Sequence, residues 1–113
     1  EGLAAVWDRT LIVTLSEFGR TAGENGSRGT DHGTAGTSFV IGGAVAGGRV
    51  HGDWPGLGRA DLYQGRDLQP VNSTEALLKA VLSDHLRIAP RFVSKTVLPG
   101  TDSIRSTRDL LRA

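Results

Sequence analysis

The sequence predicts an α/β fold, and three observations carry that prediction. The run "TLIVTLS" (Thr10–Ser16) is apolar and β-branched without alternation, which suits a strand covered on both faces in a parallel sheet. A second run, "TSFVIGGAV" (Thr37–Val45), follows a long polar connection. Further on, Leu77, Leu78, Val81, Leu82 and Leu86 recur at three- and four-residue spacing, the stripe of an amphipathic helix. Strand, loop, strand and helix in that order is an α/β pattern.

Each element can be justified in turn. Residues Glu1 to Asp8 read as the last turns of a helix, with Leu3, Ala4 and Val6 available for packing. The stretch from Glu17 to Gly36 has six glycines and no hydrophobic period, so it reads as a loop. Loops of that length without structure of their own tend to carry function. The second strand is interrupted by Gly42 and Gly43, and Ala46–Gly58 is rich in turn residues, with "GRVHG" as a short edge strand. The helix is expected from Ser73 to Leu86, with Asn72 and Glu75 at capping-box spacing. Pro90 breaks it, Phe92–Gly100 has room for one helical turn, and residues 101–113 read as a surface tail.

Composition narrows the function classes. A chain of 113 residues holds one small domain and not two. With no initiator Met it reads as a single partial domain, an internal or C-terminal piece of something longer. A net charge of +1 gives no support for nucleic-acid binding. No stretch reaches the ~20 apolar residues of a membrane span. There is no cysteine, so disulfides and thiolate metal sites are excluded.

The loop contains "GTDHG", with Asp31 and His32 adjacent between glycines. Neighbouring residues on an extended segment point in opposite directions. A curl at Gly29 and Gly33 would let them converge on one ion. Carboxylate oxygen with imidazole nitrogen suits Zn, Mn or Fe, and suits Ca less well. Two donors are too few, and His51, 19 positions after His32, is the next in this chain. The plainer reading is a polar turn with a capping carboxylate. Just past the first strand, Arg20 could grip a phosphate or sulfate oxygen through its planar fork. Glu17 could accept a proton or bind beside Arg20, or the two could simply pair and fix the loop. Glu24 and Arg28 read as exposed at the rim, Trp54 as an anchor of its turn, and His85 as a structural histidine.

"SEFGRT", "GTDHG" and "GGRVHGDWPGL", with "GRDLQP" and "LSDHL" beyond them, together closely resemble the family catalogued as domain of unknown function 1501. That family looks like a branch of the alkaline phosphatase and sulfatase superfamily. The resemblance implies the C-terminal portion of an alkaline phosphatase-like sandwich, a mostly parallel sheet with flanking helices. It implies a hydrolase of small phosphate or sulfate esters that depends on a divalent metal, with Zn or Mn foremost. Asp31 and His32 match the superfamily's metal-binding Asp-His-Gly motif, and His51 matches a further ligand by order and spacing. The nucleophile is expected upstream, so no catalytic residue is assigned within these residues and the chain should not be active alone. Relatives resemble exported bacterial proteins, which implies a periplasmic setting. The alternative is a non-catalytic cell-envelope binding module that keeps the fold while the Asp-His pair stabilises a loop.

Overall fold

A computed structural model describes residues 2–112. The chain divides into two compact units. The helical unit comprises Glu1–Ile12, Val40–His51 and Ser73–Ala113, and the loop unit comprises Val13–Phe39 and Gly52–Asn72. Four two-residue strands occur among the described residues: β1 (Ile12–Val13), β2 (Gly19–Arg20), β3 (His32–Gly33) and β4 (Val40–Ile41). They form two separate two-stranded sheets, β1 with β4 and β2 with β3.

This overturns the expected parallel sheet and, with it, the alkaline phosphatase-like sandwich. β2 and β3 are antiparallel. Around β1 and β4 the Thr14 amide donates to the Phe39 carbonyl, and the Ala44 amide to the Thr10 carbonyl, so those segments also run in opposite directions. The run from Thr10 to Ser16 forms strand over two residues only, Ile12–Val13. Ile12 is 43% exposed and Leu15 52%, so no layer covers the run on both faces. Apolarity marked the segment as one that favours burial. It could not supply the neighbouring strands and helices that bury it. The "GRVHG" edge strand does not form, and Val50 is almost fully exposed.

The N-terminal helical segment is present as a 3-10 helix, Ala4–Arg9. The predicted long helix is present as α1 (Thr74–Lys79), which runs directly into a π-helical turn, Ala80–His85. Its N-cap is Ser73, not Asn72: the Ser73 hydroxyl accepts from the Ala76 amide and donates to Glu75. A hydroxyl there satisfies one of the orphan amides of the first turn. Asn72 is used elsewhere in its own unit, accepting from the Asp53 amide and donating to the Asp53 carbonyl, both at 2.8 Å. α2 (Pro90–Phe92) continues into a second π turn, Val93–Val97, with Pro at its first turn, where the missing amide costs nothing.

The apolar core lies in the helical unit. Val45, Ala80, Val93 and Leu110 are buried, and Val93 is fully enclosed. Lys79 is buried among them, and its ammonium donates to the carbonyls of Thr101 and Ile104. Those carbonyls make an otherwise costly burial tolerable. Residues 101–112 are joined to the rest of this unit by backbone bonds, with Thr101 and Leu110 buried. The Ala46 amide donates to the Leu110 carbonyl, the Arg112 amide to the Ala44 carbonyl, and the Thr107 amide to the Ala76 carbonyl. Among the described residues no helix is long and apolar enough to cross a membrane.

Candidate functional site

The loop unit holds most of the residues that the sequence singled out. Within the expected loop, β2 and β3 pair as an antiparallel ladder with Gly19 opposite Gly33 and Arg20 opposite His32. The ladder extends one step further, since Thr21 and Asp31 are joined by a backbone bond from the Thr21 amide. The Asp31 amide donates to the Thr21 hydroxyl at 3.1 Å. The glycines flanking Asp31 and His32 do not curl the chain. Positive φ falls on Arg28, at 60°, and on neither Gly29 nor Gly33. Gly33 instead allows a close approach, because a Cβ there would lie 2.6 Å from the Arg20 backbone.

On an extended ladder successive side chains leave opposite faces. Arg20 and His32 share one face as cross-strand partners, and Phe18, two residues before Arg20, shares it. The His32 ring stacks on Phe18, with centroids 3.9 Å apart and planes 20° from parallel. The Arg20 guanidinium lies 5.9 Å from the same ring's centre and donates to the Thr30 carbonyl at 3.0 Å. On the other face Thr21 and Asp31 border a shallow depression of ≈ 290 Å³, with Glu24, Asn25, Leu62 and Arg66 also on its wall. One Asp31 oxygen accepts from the Asn25 amide at 3.0 Å. Asn25 is itself a clasp: its side-chain oxygen accepts from the amides of Ser27 and Gly29.

The ladder therefore separates Asp31 from His32. Each has the chemistry of a divalent-metal donor and each is exposed. They do not converge, and among the described residues no group of three or more His, Asp or Glu side chains gathers to hold an ion. Asp31 fits one donor of a metal centre. The described residues alone do not close such a centre. His51 belongs to the helical unit, where its Nε2 is buried without a hydrogen-bond partner among the described residues. Glu17 is exposed and forms no ion pair with Arg20. Trp54 is 70% exposed and does not anchor its turn in a core.

Sequence reasoning missed the residue that holds this unit together. Asp67, only 3% exposed, accepts from the Thr34 amide at 2.9 Å and hydroxyl at 2.7 Å, and from Arg66 Nε at 2.8 Å. Its backbone pairs with Tyr63, and it forms an isolated antiparallel bridge to Thr21. The Thr34 hydroxyl, against the opposing effect of desolvation and with help from Arg66, holds the Asp67 carboxyl below the ordinary aspartate range. A lone Asp after an Arg in "GRDLQP" gives no local signal for such a role, because Thr34 lies 33 positions away. Asn25 and Phe18 were likewise unmarked.

No curated protein and no solved structure matches the chain significantly. A family description does, "Protein of unknown function (DUF1501)", over residues 1–97. That span takes in the whole β2–β3 ladder, the depression and α1, so the chain belongs to the DUF1501 family.

Proposed function

We propose that the chain is one part of a divalent-metal-dependent hydrolase of small phosphate or sulfate esters. Arg20, with the fork of its guanidinium steadied on the Thr30 carbonyl, contacts the ester oxyanion. Asp31 supplies a carboxylate oxygen to the metal. The remaining donors and the nucleophile come from outside these residues. The motif's resemblance to the alkaline phosphatase and sulfatase superfamily supports the reaction class, and carries an exported, periplasmic setting with it. The observation that carries the reading is the ladder itself. It fixes an exposed carboxylate, an exposed imidazole and a guanidinium within three residues of strand.

Metal content decides it. The full natural chain, dialysed and measured by plasma mass spectrometry, should hold near-stoichiometric Zn, Mn or Fe, and Asp31→Ala should lose it. Hydrolysis of p-nitrophenyl phosphate or sulfate should then follow the metal. A folded wild-type protein without metal would overturn the proposal.

A further inference from the structure

We propose that His32 works with Arg20 on an oxyanion, and that Asp31 is the metal donor of the pair without it. The assignment rests on the hydrolase reading and divides its labour between two faces. Arg20 and His32 are directly opposed on the β2–β3 ladder. Opposed Cβ atoms in such a ladder lie roughly 4.5–5.5 Å apart, close enough for both side chains to grip one tetrahedral anion. Phe18 orients both. Its ring is stacked against the imidazole and lies under the guanidinium, which removes much of the rotamer freedom that anion binding would otherwise have to restrain. One Arg20 nitrogen is anchored on Thr30, and the side chain is exposed, with no other hydrogen bond among the described residues. An imidazole N–H beside a guanidinium is a hydrogen-bonding pair for a phosphate or sulfate oxygen.

The opposite face has the other sign. Asp31 and Glu24 stand on the depression with the Asn25 amide, and Asn25 holds the Asp31 carboxylate in one orientation. Arg66, on the same wall, is engaged with Asp67. A cation approaching Asp31 meets carboxylates, and an anion approaching His32 meets donors.

Inorganic sulfate and phosphate are the probes for one face, and Zn²⁺ or Mn²⁺ for the other. In NMR titrations of the full chain, either oxyanion should shift the side-chain signals of His32 and Arg20 and leave those of Asn25 in place. His32→Phe keeps a ring stacked on Phe18 and removes both nitrogens. It should weaken oxyanion binding about tenfold, the loss of one charge-assisted hydrogen bond, with metal uptake unchanged. Asp31→Asn should do the reverse. Amide shifts along Gly19–Thr21 and Asp31–Gly33 report whether the ladder survives each substitution. Loss of metal in a folded His32→Phe protein, as in Asp31→Asn, would overturn the inference. So would oxyanion titrations that move neither His32 nor Arg20. A wild type without metal sinks the hydrolase reading, and the oxyanion titration still decides the role of His32.

Discussion

The two units of this chain are held by different forces. The helical unit has an apolar centre of Val45, Ala80, Val93 and Leu110. In the loop unit the buried side chains are polar, Thr21 and Asp67, and its large apolar residues Leu15, Phe39, Trp54 and Leu57 stand exposed. Four of its side-chain hydrogen bonds meet at the Asp67 carboxylate. Apolar packing is non-directional and spread over many contacts, so it gives way by degrees. A polar hub is directional, and removing it leaves buried donors unpaired all at once.

Substitution at the hub should show the contrast most strongly. Asp67→Ala strips the Thr34 amide and hydroxyl and the Arg66 guanidinium of their acceptor together. Amide-exchange protection across the β2–β3 ladder should fall on the order of a hundredfold. Protection along α1 should hold, and a matching fall there would erase the distinction between the units. Acid should reach the same end by titration. The folded Asp67 carboxyl lies below its unfolded value, so its contribution is full above the ordinary aspartate range, about pH 4, and is lost as pH falls through it. Glu75, held down by the Ser73 hydroxyl, and Asp102, held down by Lys95, are exposed and should matter less. In ¹H–¹⁵N spectra taken from about pH 6 to about pH 3, ladder signals should therefore collapse before those of α1.

Val93→Ala tests the other side of the contrast. Val93 is fully enclosed, and removing two methyl groups should cost about 2 kcal/mol by denaturant unfolding, with the helical unit's signals affected first. The smallest effect should come from Ser73→Ala, which removes the α1 cap at a cost of about 1 kcal/mol. A neutral result there would mean that packing, not capping, sets the start of that helix.

These differences explain what could be read before the fold was known. The α1 region was legible because helical period and capping are local, and even the error was local, a shift of one residue from Asn72 to Ser73. Ser73 still has its acid two residues on, in Glu75, whose carboxylate accepts from the Ser73 hydroxyl. The sheet was not legible. "TLIVTLS" states a preference for burial, and whether parallel neighbours meet it is decided elsewhere. The site was legible in kind and not in arrangement. Asp31, His32 and Arg20 could be picked out by type as candidates, and Glu24 could not. The faces they occupy depend on Gly19 meeting Gly33 in register, and nothing in "GTDHG" encodes that pairing. Asp67 was invisible for the same reason, its partner being far along the chain.

The docking of residues 101–112 bears on how the protein is made. Arg112 donates through its side chain to the Val45 carbonyl, 67 positions earlier, and the neighbouring backbone bonds run between the same two segments. During synthesis Val45 leaves the ribosome long before that partner exists. Until Leu110 and Arg112 have emerged, the bonds from that segment to Ala44, Val45 and Ala46 cannot form. Nascent chains stalled before Leu110 has emerged should bind chaperones, and chains in which Arg112 has emerged should bind them less.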